Sequence, residues 1–172
     1  RWAYPTLLQF TPGFIDPASG SVEGQVAETF EYTDPTTLIL HLRKDVKWDA
    51  REPTNSRPFD AEDVVFSWKK FEELSNSRTS MSNNLNPLAP IIDITAIDDS
   101  TVQVKTAFAF GPLLNALAYT RWMLLMPRES DGGFDPRQDI RGAGPWNLTK
   151  WDRSVRMEWR KNPNYWNKDR PL

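Results

Sequence analysis

The sequence predicts an α+β fold, a mixed and mostly antiparallel sheet with covering helices. Three observations carry that prediction. Apolar and polar residues alternate in short runs that come in pairs around turn residues, the pattern of β-hairpins with one buried face. Two stretches, residues 60–75 and 111–119, instead repeat their apolar residues at helical spacing. The 172 residues are the size of one ordinary domain, long enough to bury roughly 70% of the unfolded surface.

The central run is Thr37 to Leu74, TLILHLRKDVKWDAREPTNSRPFDAEDVVFSWKKFEEL. It reads as a strand to about Arg43, a polar loop and a capped helix. Leu38, Leu40 and Leu42 alternate with Ile39, His41 and Arg43. Asp60 is placed to accept from the free N–H groups of the first helical turn, and Asp63, three residues on, to reach back as a capping box. Asp60, Glu62 and Asp63 precede Lys69 and Lys70, the order that the helix dipole favours. Val64, Val65, Trp68, Phe71 and Leu74 form the apolar stripe.

Before this run, Leu7, Leu8 and Phe10 read as a short strand, and Thr11-Pro12-Gly13 and Asp16-Pro17 as turns. Thr29 to Thr33 alternates, Asp34-Pro35 breaks it, and Leu38 to Arg43 answers it, giving a first hairpin with a loop of about four residues. Val46 and Trp48 continue the extended pattern. Residues 75–90, SNSRTSMSNNLNPLAP, lack periodicity and read as a mobile loop long enough to be functional. Ile94–Ile97 and Val102–Thr106 make a second hairpin around Asp98-Asp99-Ser100, extended by Phe108 and Phe110. A helix over 111–119 follows, with Pro112 at its first position, and then a short buried strand, Trp122–Met126. Trp146–Trp151 and Val155–Arg160 make a third hairpin.

Composition excludes several functions. The 21 basic and 23 acidic residues are interspersed, net −2, so no nucleic-acid partner is indicated. No apolar run approaches the ~20 residues of a membrane span. There is no cysteine and one histidine, His41, which argues against a thiol or imidazole-rich metal site. The adjacent acids Glu62-Asp63 and Asp98-Asp99 are explained by capping and by a turn. A hydrolytic serine would need His41 as its base, and no Gly-x-Ser-x-Gly turn is present. Gly142-Ala143-Gly144-Pro145 lacks the spacing of a phosphate cradle and reads as a tight turn where backbone approaches backbone. These residues nominate no catalytic constellation, and no cofactor or metal site is expected. Eight tryptophans open a second reading, a Trp-rich carbohydrate-binding module of a secreted enzyme, which requires exposed coplanar rings.

Four blocks in one order resemble a known family: HLRKDVKW (41–48), PFDAEDVVFSWKK (58–70), IDDSTVQVKT with FAFGPLLNAL (97–117), and RGAGPWNLTKWDRSVRMEWRKNPNYW (141–166). They resemble the family 5 extracellular solute-binding proteins, the peptide-, nickel- and oligosaccharide-binding components of bacterial ABC importers. The loop after Trp48 is longer than the family's short turn, and Trp146 stands where the family's turn has tyrosine. The resemblance implies a partial first lobe of a type II periplasmic-binding-protein-like fold over residues 1–172. A small inserted subdomain is expected at about 28–140, and the second lobe is absent, so that both ends read as cut ends. It implies a binding protein and not an enzyme, one that captures a peptide or similar small solute in an interlobe cleft and delivers it to an ABC permease in the membrane. It also implies a periplasmic or extracellular location, tethered as a lipoprotein. Two regions are expected to face the ligand. Tyr119, Arg121 and Trp122 follow the second helix, and Gly144 and Trp146 lie at the turn before the third hairpin. The aromatic rings are suited to stacking and Arg121 to a carboxylate.

Overall fold

The computed structural model describes residues 2–11 and 20–168. Its elements in chain order are β1 (Leu8–Phe10), β2 (Val22–Gly24), β3 (Ala27–Asp34), β4 (Thr37–Leu42), α1 (Ala61–Leu74), β5 (Ile91–Asp98), β6 (Thr101–Thr106), α2 (Leu113–Ala118), β7 (Trp146–Asp152) and β8 (Arg156–Lys161). Short 3-10 turns lie at Arg78–Ser80 and Arg128–Ser130. The α+β class holds, and every pairing between these strands is antiparallel.

The strands form three sheets rather than one. The first two hairpins join as a four-stranded sheet in the order β3-β4-β6-β5, while β1-β2 and β7-β8 are two-stranded ribbons. The four-stranded sheet is in register through its apolar alternation. Leu40 stands opposite Phe30 on one side and Val102 on the other, and Leu38 lies between Tyr32 and Val104. Ile94 faces Val104 on the outer side. A one-residue slip would move these side chains to the solvent face.

Helix α1 packs against β5. Asp60 accepts from the Asp63 N–H at 3.1 Å, and the Asp63 carboxylate accepts from the Asp60 N–H at 3.3 Å, so the capping box is present. Val64, Trp68 and Phe71 are buried in the core, but Leu74 is 67% exposed. The stripe therefore leaves the core one turn before the helix ends. Helix α2 packs on β1 through Leu113, Ala116 and Leu117.

Several expectations are corrected. The first hairpin closes over two residues, because Asp34 pairs with Thr37 and its carboxylate accepts from the Thr36 N–H and hydroxyl. Pro112 caps α2 from outside it. Phe108 and Phe110 lie beyond β6 and pack edge-on against each other. Trp122–Met126 is not a strand. The Leu125 N–H donates to the Pro5 carbonyl and the Met126 N–H to the Ser67 hydroxyl, so the segment is held by scattered bonds and has no ladder. Residues 75–90 are stapled rather than free. The Asn83 amide donates to the carbonyls of Pro87 and Ala89, Asn84 to that of Ile92 and Asn86 to that of Thr79. The turn expected at Asp16-Pro17, and Pro12 and Gly13 of the one before it, lie outside the described residues.

Candidate functional site

The first residues of the chain form the backbone frame on which both candidate regions hang. The Trp146 N–H donates to the Trp2 carbonyl at 3.0 Å, the Gly144 N–H to that of Ala3 at 2.7 Å, and the Leu125 N–H to that of Pro5 at 2.9 Å. Three residues of extended chain span about 10 Å. The end of the Tyr119–Leu125 segment and the Gly142–Trp146 turn therefore meet the same short stretch of backbone. Further along it, Gln25 and Ala27 donate to Leu7, and the Gln25 side chain accepts from the Thr6 N–H.

This frame explains the glycines. A Cβ on Gly144 would lie 2.6 Å from the carbonyl oxygens of both Trp2 and Ala3, and one on Gly142 would overlap the Ala3 carbonyl. Gly142, Gly144 and Pro145 are buried. The close backbone approach read from the sequence is thus present, and its partner is the N-terminal segment. Gly144 is consequently covered by protein, whereas Trp146 is half-buried.

Tyr119 ends α2 and is 47% exposed. Arg121 is exposed and, among the described residues, has neither an ion pair nor a hydrogen bond. Trp122 is half-buried against the core. Arg121 and Trp122 line a groove of about 280 Å³ alongside the second half of α1, with Phe71, Leu74 and Met123. Neither Gly144 nor Trp146 lines it, nor does Tyr119. The structure thus brings Arg121 and Trp122 together in one concavity and leaves the other candidates outside it.

A larger open cleft of about 660 Å³ lies between the end of β4, the β5–β6 turn and the start of α1. Sequence reasoning did not find it. Most of its charged walls are already engaged. Arg43 reaches the Gln25 carbonyl and Glu28 and lies over the Trp166 ring. Arg57 is held by Asp63 and Glu129, and Asp98 accepts from the Ser100 N–H, which holds its carboxyl below the usual range.

Behind this cleft sits a buried charge network. The Asp63 carboxylate accepts from the Trp48 indole N–H at 2.7 Å and from both terminal nitrogens of Arg57 at 2.8 and 2.7 Å. Arg57 also donates to both oxygens of Glu129, and its guanidinium lowers the Glu129 carboxyl pKa. Asp60 is shifted upward by burial and by the neighbouring Asp63. A second ladder pairs Asp49 with Arg51, Arg51 with Asp139 and Asp139 with Arg141. It fastens the long loop after Trp48 to residues 139–141. Burial pushes the neighbouring Tyr4 hydroxyl up to about 12. Each charged group of these two networks meets an oppositely charged partner within the fold. No cluster of three or more metal-ligating side chains occurs among the described residues.

The tryptophans do not form a sugar platform. Trp48 and Trp68 are buried, and Trp122, Trp146, Trp151, Trp159 and Trp166 are half-buried. Trp2 is 62% exposed but meets Trp159 edge-on, at 84° between ring planes.

Comparison with known proteins agrees with this architecture. The family model described as "Bacterial extracellular solute-binding proteins, family 5 Middle" matches residues 21–172. Heme-binding protein A of Haemophilus influenzae is 24% identical over 98% of this chain and 33% of its own length. The nickel-binding periplasmic protein of Escherichia coli is 27% identical over 87% of this chain and 28% of its own. Among solved structures, the periplasmic binding protein DppA of Helicobacter pylori, in complex with the peptide STSA, superposes with a TM-score of 0.73. It shares 23% identity and covers 95% of this chain and 34% of that one. The chain spans about a third of the length of the relatives it matches. No helix among the described residues is long and apolar enough to cross a membrane. With its framework of capped helix, paired hairpins and glycine turn matched across residues 21–172, the chain belongs to the family 5 bacterial extracellular solute-binding proteins.

Proposed function

We propose that this chain is the partial first lobe of a receptor that captures a peptide or similar small solute and hands it to an ABC permease. On this reading the small inserted subdomain occupies about residues 28–140, and a second lobe completes the cleft. The receptor works outside the cytoplasm, held at the membrane by a lipid anchor in the full-length protein. The observation that supports it is the shared N-terminal frame, which draws the Tyr119–Leu125 segment and the Gly142–Trp146 turn to one short stretch of backbone. Within that arrangement Arg121 and Trp122 are open to solvent at a groove, while Gly144 contributes through its backbone alone. Trp146 hangs on this frame through its backbone N–H, and Tyr119 is exposed at the end of α2.

The relatives' printed ligands are heme, nickel and a peptide, so the shared framework does not select the chemistry. Peptide is favoured here because Arg121, without an ion pair or hydrogen bond among the described residues, is a cation suited to a carboxylate. A single lobe encloses less of a ligand than a closed cleft does, so the isolated chain is expected to bind peptide weakly. The test is uptake. Deleting the coding gene should abolish import of labelled di- and tripeptides by the source cells, and re-expression of the intact gene should restore it. Unchanged import would overturn the reading.

A further inference from the structure

The groove beside α1 has a chemistry of its own. Its walls are the Phe71 and Leu74 side chains from the end of α1 and Trp122 and Met123 from the segment after α2. Leu74 is 67% exposed although it continues the buried stripe of the helix, so the groove ends in apolar surface that the described residues leave uncovered. Two cations stand at it. Lys70 is neutralised by Glu73 at 3.2 Å and Asp131 at 3.3 Å. Arg121 has no partner among the described residues. The apolar surface thus carries one uncompensated positive charge.

Behind the groove lies a tighter, drier seam. Phe71, Trp122 and Met123 also line an apolar seam immediately inside the groove, together with Trp68, Met81 and Ile91. The Trp68 indole N–H lies in this buried setting without a hydrogen-bond acceptor. Buried donors are nearly always paired, so the seam has an unmet need for an oxygen. Its free space is only about 10 Å³, close to the minimum for one water. Two of its walls, Met81 and Met123, are side chains that repack readily.

We infer that the groove between α1 and residues 120–126 is a binding site for a small carboxylate with an apolar body. The carboxylate pairs with the Arg121 guanidinium. The body lies on Phe71, Leu74 and Trp122. Charge complementarity fixes the sign of the ligand, since the one unpaired charge at the groove is positive, and the exposed leucine fixes the character of its body. The inference builds on the reading that the Tyr119–Trp122 segment contacts solute, and it names the solute's chemical class.

The test uses octanoate, with octylamine and acetate as controls, titrated into the chain while tryptophan fluorescence and saturation-transfer NMR are read. Octanoate should bind with a Kd on the order of 1 mM, as expected for about ten heavy atoms at modest efficiency, and acetate and octylamine at least tenfold more weakly. Arg121→Gln should weaken octanoate at least tenfold. This substitution removes no hydrogen bond or ion pair among the described residues, so an unchanged circular dichroism spectrum is expected. Leu74→Ser, at an exposed position, should weaken octanoate while leaving acetate unaffected. Octylamine binding as tightly as octanoate, an Arg121→Gln variant that binds octanoate unchanged, or no octanoate binding at 20-fold the expected Kd (about 20 mM,) would each overturn the inference. The outcomes separate from those of the uptake experiment. Lost peptide import without octanoate binding removes this site alone, and octanoate binding with intact import removes the transport reading alone.

Discussion

The indole N–H of Trp48 donates to the carboxylate of Asp63 at 2.7 Å, and both side chains are sealed from solvent. Trp48 lies beyond β4 and Asp63 in the first turn of α1, so one bond closes the long loop between them. Arg57, from within that loop, grips the same carboxylate with two nitrogens. Removing the carboxylate strands a half-buried guanidinium. Asp63→Ala is expected to cost about 3–5 kcal/mol, and Trp48→Phe about 1–3 kcal/mol, because the carboxylate keeps Arg57. Urea unfolding followed by circular dichroism measures both. Equal costs for the two variants would show that Arg57 finds Glu129 sufficient.

Glu129 makes the network sensitive to acid. Arg57 lowers its carboxyl below the ordinary 4.5. A carboxyl that is more acidic when folded contributes stability above its unfolded pKa, and loses it as pH falls through the folded value. Asp60, raised by burial, acts in the opposite sense and offsets part of the effect. Through this group the thermal midpoint should therefore not vary with pH near neutrality, where its stabilisation is fully present, and should decline below about pH 4.5. Glu129→Gln should lower the midpoint at pH 7 and flatten its acid slope. A slope unchanged by the substitution would assign acid sensitivity to other carboxylates.

Gly144→Ala tests the N-terminal frame. The added methyl meets two carbonyl oxygens of the frame at 2.6 Å, and backbone has to move to admit it. The expected cost is about 1–3 kcal/mol. Hydrogen exchange should show the Gly144, Trp146 and Leu125 amides losing protection together, since all three donate to residues 2–5. Loss confined to residues 142–146 would show that the frame yields one bond at a time.

The loop at 75–90 is expected to resist proteolysis despite its exposed Leu85 and Leu88. Its asparagine amides hold its carbonyls from inside. Asn83→Ala removes two such bonds, worth about 1 kcal/mol each, and should open the loop to chymotrypsin after Leu85 or Leu88. Equal cleavage of the parent chain would contradict the stapled loop.

What was legible in the sequence was local. The capping box of α1 needs only Asp60 and Asp63, and the hairpins need only alternation and a turn, so both were readable. The Trp122–Met126 run looks like a strand because it is apolar, but its hydrogen bonds go to Pro5 and Ser67, partners that no window of sequence contains. The asparagines of the 75–90 loop read as disorder because their role lies in carbonyls several residues away. The site was legible only in part. Arg121 and Trp122 do share a groove, but its other wall comes from α1, some fifty residues earlier. Gly144 was read correctly as a point of close approach, and what approaches it is this chain's own beginning.

The same arrangement has a consequence in time. Residues 2–5 are made before residues 125, 144 and 146, yet their carbonyls wait for amide groups there. At common translation rates, on the order of ten seconds pass between them. A ribosome halted near residue 120 would therefore present Trp2 and Tyr4 on backbone that still lacks these three bonds.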